Sequence, residues 1–121
     1  MSGESLLSGF RVVDLGTAMG AFCGKVLADL GMDVVKVEPP SGDQLRTEPP
    51  FAKGQSNREG SLRFAYFNSG KRGITLDLGR EPARKILLDL VEKADVVIDS
   101  HAPGYLEELG IGYGELVAHR P

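Results

Sequence analysis

Two adjacent cations near the middle of this 121-residue sequence are the residues best suited to chemistry. Lys71 and Arg72 follow Asn68-Ser69-Gly70 and precede an apolar run that is typical of a strand. A guanidinium offers planar paired donors and an ammonium offers a compact charge, so the pair suits a phosphate or a carboxylate. The same pattern is equally typical of a solvated turn. From these residues alone, both interpretations stay open.

A glycine-containing segment, Gly16-Thr17-Ala18-Met19-Gly20-Ala21, is the second candidate. It is a degenerate form of the dinucleotide-binding pattern G-x-G-x-x-G/A, because Ala18 replaces the middle glycine. Glu38 lies 22 residues after Gly16, about where such proteins bind a ribose. One hypothesis from the residues is therefore a nicotinamide-dinucleotide site.

The glycines themselves have two interpretations. Gly16, Gly20 and Gly24 recur every four residues and would share one face of a helix. We favour close packing of that helix on a sheet. The alternative is that glycines near a helix N-terminus let a phosphate approach the unpaired N–H groups.

No catalytic centre can be assembled from the remaining reactive residues. His101 and His119 lack partners at metal-ligand spacing, although His101 follows a predicted strand and is a candidate polar contact. Cys23 lies in a predicted helix and is interpreted as a small buried apolar residue. No nucleophile has a base at readable spacing.

The elements that position these residues alternate between strands and helices. Strands are predicted at residues 10–15, 33–38, 73–78 and 94–99. Helices are predicted at residues 17–30, 61–69 and 80–93, followed by a short one opened by Pro103 and another from Tyr113. This order predicts a doubly wound α/β domain, in which helices cover a parallel sheet.

Two helices have apolar faces that predict their packing. In the first predicted helix the face consists of Phe22, Val26, Leu27 and Leu30. In the third it consists of Ile86, Leu87, Leu90 and Val91. Residues 39–60 are rich in proline and glycine and form a predicted long loop, either functional or simply solvated.

Composition restricts the class of protein. The chain is 41% hydrophobic and 26% charged, which fits one domain over residues 1–121. The net charge of −3 argues against a nucleic-acid binder, although basic residues concentrate in residues 46–72. A single cysteine favours a cytoplasmic location, and neither a signal peptide nor a membrane-spanning segment is predicted.

Several blocks of sequence, taken in order, carry a family resemblance. They are residues 12–15, 27–43 (with Ala-Asp-Leu-Gly-Met-Asp-Val-Val-Lys-Val-Glu-Pro-Pro-Ser-Gly-Asp), 67–78, 94–98 and 103–113. Together they resemble the N-terminal segment of family III CoA-transferases, the superfamily of formyl-CoA transferase, carnitine CoA-transferase and methylacyl-CoA racemase. The resemblance covers nearly the whole chain.

The resemblance implies a Rossmann-like α/β domain, with a mostly parallel sheet and helices on both faces, that holds coenzyme A or an acyl-CoA. In the family, a second lobe follows and two ring-shaped chains interlock as a homodimer. The transferases use an aspartate for covalent catalysis, and the racemases use an acid/base pair. Both sets of groups would lie beyond residue 121, so we expect a domain fragment, or a split or degenerate relative.

Position by position, the resemblance assigns the CoA-binding residues to three segments, with Lys71 as the best match. The residues are Gly16, Thr17, Ala18, Asn68, Ser69, Lys71, Arg72, Ser100 and His101. Four features depart from the family pattern, and the first is the Gly16–Gly20 segment, which is one residue short and is followed by Ala21 where the family usually has proline. Pro39 stands where family members often carry arginine. The Ser100-His101-Ala102 segment stands where they usually carry Asn-Phe-Arg/Lys, and Glu108 stands where they often carry arginine.

The leading hypothesis is therefore the CoA-binding portion of an enzyme that moves CoA between carboxylic acids. It implies a CoA thioester as the small-molecule partner, with no metal, nucleic acid or membrane. One alternative is a non-catalytic scaffold or interlocking domain that has lost CoA binding. The other is the nicotinamide-dinucleotide-binding domain.

Overall fold

A single four-stranded sheet forms the centre of the computed structural model, which describes residues 5–120. The strands are β1 (Arg11–Leu15), β2 (Asp33–Glu38), β3 (Arg72–Thr75) and β4 (Val96–Asp99). Their order is β3-β2-β1-β4, and all three described pairings are parallel. This order matches the first four strands of a Rossmann-type sheet.

Five α-helices accompany the sheet: α1 (Ala21–Asp29), α2 (Leu62–Asn68), α3 (Glu81–Glu92), α4 (Tyr105–Glu108) and α5 (Tyr113–His119). Local sequence explains two of the starts. The Ser61 hydroxyl caps α2 by accepting from the Phe64 N–H, and a proline occupies the first turn of α3. Of the helices in residues 5–120, none has the length and apolar content needed to cross a membrane.

The core is split between the two faces of the sheet, because successive strand side chains point to opposite sides. On one face, Val13 and Leu15 of β1 pack with Leu87 and Val91 of α3. On the other face, Val12 lies in a second cluster, with Met32 and Val34 and with half-buried residues of α1. Helices therefore cover both faces, which confirms the predicted α/β fold.

The prediction for α1 is wrong in its start and in most of its buried face, of which Leu27 is half-buried and packs against the second cluster. The helix begins at Ala21, after a turn at residues 18–20. Its buried residues are Ala21 and Gly24, whereas Phe22, Val26 and Leu30 of the predicted face, and also Cys23, are exposed. Small residues bring α1 close to the sheet, which moves the large side chains to its flanks, where Phe22 contacts Phe67 of α2.

The helix α3 agrees better with its predicted face, since Leu87 and Val91 are buried and Leu90 is half-buried, while Ile86 is exposed. The long segment at residues 39–60 is also ordered by local contacts. It contains two 3₁₀ helices, Gln44–Thr47 and Ala52–Gly54, and its Leu45 is 1% exposed.

Candidate functional site

The candidate site is the crevice at the carboxyl ends of β1 and β4. Since β1 lies between β2 and β4, the strand order reverses here, and open α/β sheets bind ligands at such a switch point. Residues 16–21, called the glycine loop below, follow β1, and residues 100–104 follow β4. The Thr17 N–H donates to Ser100 Oγ at 2.8 Å, and the two hydroxyl oxygens are 3.1 Å apart. The structure therefore joins two of the three predicted segments.

Close approach at this crevice depends on Gly20. A Cβ atom at that position would lie 3.1 Å from Ser100 Oγ and from the Gly16 Cα, and 3.2 Å from a methyl group of Ile98. These contacts are tighter than ordinary van der Waals distances, so a side chain at Gly20 would separate the two segments. The glycine pattern in this loop thus serves packing across the crevice.

The tip of the glycine loop is open to solvent. Ala18 and Met19 are exposed, and within residues 5–120 their N–H groups meet no acceptor. The loop leads directly into α1, where the Ala21 N–H donates to the Thr17 carbonyl at 2.9 Å and the Gly24 N–H to the Gly20 carbonyl at 3.5 Å, while in residues 5–120 the N–H groups of Phe22 and Cys23 meet no acceptor. Unpaired N–H groups at a helix start favour an anion, and a phosphate is their usual ligand.

His101 lies on the β4 side of the crevice. The ring Nδ1 of His101 is 2.7 Å from Asp99 Oδ1, and the backbone N–H of His101 donates to the same carboxylate oxygen at 3.0 Å. The ring stacks on Tyr105, with a centroid distance of 4.5 Å. The imidazole is therefore oriented from both sides, at the position where the sequence predicted a polar contact.

Lys71 is placed beneath the glycine loop and does not face solvent. Its side chain is 1% exposed, and its ammonium donates to Asp14 Oδ2 at 2.7 Å, to the Ala21 carbonyl at 3.0 Å and to Asn68 Oδ1 at 2.8 Å. Burial lowers the pKa of Lys71, and the contact with Asp14 opposes that shift. All three donors are used by the protein, so Lys71 and Asn68 are directed towards each other and not towards the crevice.

Arg72 and Ser69 are directed away from Lys71. The Arg72 guanidinium donates twice to Asp33, at 2.9 and 2.7 Å, beside the first residues of β2 and β3. The Ser69 hydroxyl accepts from Lys25 at 3.1 Å. The two cations thus pair with different carboxylates, and their joint binding of one anion stays a prediction.

Lys36 is a buried cation that the sequence reasoning missed. It lies on β2 with its side chain 3% exposed, pairs with Asp43 at 2.8 Å, and donates to the Gly16 carbonyl at 2.9 Å. The signal was a lysine inside the apolar run Val34-Val35-Lys36-Val37, since a charge in a buried strand needs a partner.

Glu38 is occupied by Arg46, at the carboxyl end of β2. The guanidinium donates to both carboxylate oxygens, at 2.7 and 2.8 Å, and the Asp43 N–H donates at 2.9 Å. Burial acts to raise the pKa of Glu38, but the bonds from Arg46 and Asp43 and the charges of Arg46 and Lys36 together hold it below its ordinary value. The carboxylate predicted to bind a ribose is therefore already satisfied, which weakens the dinucleotide hypothesis.

The position that lacks the family's frequent arginine, Pro39, has cations from elsewhere in the chain beside it. Arg58 donates to the Pro40 carbonyl at 3.0 Å, and Arg46 donates to the Arg58 carbonyl at 3.1 Å. Glu108, another departure from the family pattern, is exposed on α4. Among residues 5–120, no three His, Cys, Asp or Glu side chains cluster as metal ligands.

Comparison with protein families matches residues 7–121 to the family described as CoA-transferase family III. Among similar curated proteins, the succinyl-CoA:(R)-benzylsuccinate CoA-transferase subunit BbsE of Thauera aromatica is 43% identical over 109 residues. That match covers 90% of this chain and 27% of the relative. The succinyl-CoA:mesaconate CoA-transferase of Haloarcula hispanica is 42% identical over 116 residues, covering 95% of this chain and 29% of the relative.

Solved structures agree with these sequence relatives. The crystal structure of a CAIB/BAIF family protein from Brucella suis superposes with a TM-score of 0.88 and 39% identity. The match covers 98% of this chain and 32% of that protein. The chain thus spans less than a third of the length of these relatives.

Proposed function

The chain belongs to CoA-transferase family III, and from this premise we propose that it forms the CoA-binding portion of an enzyme that moves CoA between carboxylic acids. The substrate is a CoA thioester, consistent with the names of the two curated relatives. The covalent step, on the aspartate expected from the family resemblance, would belong to the part of the relatives that this chain does not span.

One observation carries the proposal: the glycine loop and residues 100–104 meet at the switch point, and the N–H groups of Ala18 and Met19 have no acceptor among the described residues. A CoA diphosphate lying across the N-terminus of α1 would give those N–H groups an acceptor. The Thr17–Ser100 hydrogen bond would then keep the two walls of the crevice at a fixed separation. His101, held by Asp99 and Tyr105, would contact the ligand from the β4 side.

Isothermal titration calorimetry at low salt tests this proposal. The wild-type chain should bind CoA, and Ala18→Asp should weaken binding by about tenfold, because a carboxylate beside the loop N–H groups repels a phosphate. The matched control is Ala118→Asp, the same change at an exposed residue of α5. Absence of CoA binding to the wild-type chain, or equal weakening by both substitutions, would overturn the proposal.

Two observations favour a scaffold domain that has lost CoA as a second candidate. Lys71 and Arg72 are both already paired with carboxylates. In addition, Glu108 on α4 places a negative charge where the family often has a positive one. Light scattering after size-exclusion chromatography separates the candidates, because a scaffold assembles to the same extent with and without CoA. A titration with NAD⁺ tests the dinucleotide alternative, which predicts tighter binding of NAD⁺ than of CoA.

For the whole protein, we propose a homodimer, since interlocked chains are implied by the family resemblance. The cytoplasmic location stays a prediction that rests on the single cysteine. Sedimentation of a full-length chain would test the first of these, and fractionation of cells that express it would test the second.

A further inference from the structure

Two buried lysines hold opposite ends of the glycine loop. We propose that Lys36 and Lys71 are positioning residues, which fix the loop in the conformation that receives the CoA diphosphate without touching the ligand themselves. This inference rests on the proposed function for the identity of the ligand. It assigns Lys71 a role different from the direct CoA contact that the sequence predicted.

At the start of the loop, the Lys36 ammonium donates to the Gly16 carbonyl at 2.9 Å. The same ammonium pairs with Asp43, whose other carboxylate oxygen accepts from the Leu45 N–H at 2.8 Å. Because both partners are 3–4% exposed, water does not compete with these contacts. The carbonyl of Gly16 is thus bound to a charge that is itself fixed to the segment after β2.

At the end of the loop, Lys71 repeats this arrangement from the segment before β3. Its ammonium donates to the Ala21 carbonyl at 3.0 Å and pairs with Asp14, which also accepts from the Gly16 N–H at 2.7 Å. Asp14 is fully buried. Asp14 therefore links the two ends, since it contacts Lys71 on one side and the first residue of the loop on the other.

These contacts fix the direction of the loop as well as its position. A peptide unit is planar, so a carbonyl held in place also fixes the N–H of the following residue. The Gly16 carbonyl shares its peptide plane with the Thr17 N–H, which faces Ser100 across the crevice. The bond from Lys71 to the Ala21 carbonyl holds the first turn of α1, close in sequence to the exposed residues Ala18 and Met19.

The test uses double variants that remove each ammonium without leaving an unpaired buried carboxylate. One double variant combines Lys36→Met with Asp43→Asn, and the other combines Lys71→Met with Asp14→Asn. Both preserve the approximate side-chain volumes. The new asparagine keeps an oxygen that can accept from the Leu45 N–H in the first variant and from the Gly16 N–H in the second. The matched control is Arg120→Met with Asp95→Asn, an exposed pair at 3.2 Å, directly after α5 and directly before β4.

Two readouts separate the inference from the proposed function. Hydrogen exchange of the Thr17, Gly20 and Ala21 amides, without ligand, should accelerate by about tenfold or more in each lysine double variant, but not in the control. The CoA dissociation constant should rise by a similar factor, at a temperature where unfolding curves show that all variants are folded. Unchanged loop exchange in both lysine variants would overturn the inference, whereas a wild-type chain that ignores CoA would overturn the proposed function.

A measurement on the wild-type chain covers the case in which the double variants do not fold. The ammonium protons of Lys36 and Lys71 should exchange with water about tenfold or more slowly than those of Lys85, an exposed lysine of α3. Hydrogen-bond couplings from their Nζ atoms to the Gly16 and Ala21 carbonyl carbons should be detectable. Exchange as fast as that of Lys85 would overturn the inference.

Discussion

Replacement of Gly24 by alanine directly tests the packing of α1 on the buried ion pair. Gly24 is a buried position in α1, and an added Cβ would lie 2.5 Å from Asp14 Oδ2 and 2.9 Å from the Lys71 Cε and Nζ atoms. Real Cβ atoms do not approach other atoms this closely, so either α1 must move outward or Asp14 and Lys71 must separate. Both movements would displace Asp14 and Lys71 from the contacts that they make with Gly16 and Ala21 of the glycine loop.

The expected change in the free energy of unfolding is the balance of one stabilising effect and two destabilising ones. Alanine favours the helix over glycine by about 1 kcal/mol. Overpacking of a buried site costs about 1–3 kcal/mol, and stretching of a charge-assisted hydrogen bond costs up to about 1.5–3 kcal/mol more. Because the Asp14 carboxylate is buried and already bonded to Lys71 and Gly16, it has little freedom to adapt. With the middle of each range, the two costs exceed the helix gain by about 2–3 kcal/mol, and we expect Gly24→Ala to lower the free energy of unfolding by that amount.

The assay is urea denaturation followed by circular dichroism, with Gly114→Ala as the matched control. Gly114 lies in α5, and no atom of the described part of the chain outside the neighbouring helix backbone lies within 4 Å of an added Cβ there. The same substitution should therefore raise the free energy of unfolding by about 0.5–1 kcal/mol. A Gly24→Ala variant as stable as wild type, or one that shares the gain at Gly114, would refute the packing described for α1.

Three further predictions concern single residues. The pKa of Glu38 is lowered in the folded state, so the unfolded state binds a proton at this carboxylate first as the pH falls. The free energy of unfolding should therefore decrease below the ordinary glutamate pKa of about 4.3. In urea midpoints measured from pH 7 to pH 3, Glu38→Gln should make that decrease smaller. Ser61→Ala should lower the free energy of unfolding by about 1–2 kcal/mol, because the hydroxyl caps α2 and lies 2.8 Å from the Leu45 carbonyl; Ser69→Ala, at an exposed residue, is the control, and equal unfolding midpoints would contradict the role of Ser61. Cys23 is exposed, so Ellman's reagent should modify one thiol in the folded chain as fast as in a small peptide, and protection until urea is added would contradict the placement of Cys23.

The sequence predicts most of the fold because the relevant signals are local. The run at residues 33–38 coincides with β2, and the proline in the first turn and the apolar face of α3 locate that helix within one residue at each end. α1 differs because its buried contacts come from Ala21 and Gly24. These two residues are buried because they are small enough for α1 to lie close to the sheet. A prediction based on the spacing of large apolar residues does not detect such a face.

The site is less predictable because its ion pairs join distant parts of the chain. Lys71 and Asp14 are 57 positions apart, and nothing in the Asn68–Lys71 turn indicates that the ammonium points under the glycine loop. From the residues alone the role of Lys71 therefore stays open, and its assignment as a CoA contact comes from the family resemblance. Lys36 carried a clearer signal, since a lysine between buried valines requires a fixed anion such as Asp43.

The measurement that tests the central claim most directly is a titration of the isotope-labelled chain with CoA, followed residue by residue through the amide resonances. CoA binding at the crevice predicts the largest shifts at residues 16–21 and 100–104, with saturation at a single dissociation constant. Arg11, Asp33 and Arg72, beside the starts of β1, β2 and β3, should not shift. No shifts at saturating CoA, or shifts centred on those three residues, would contradict the account.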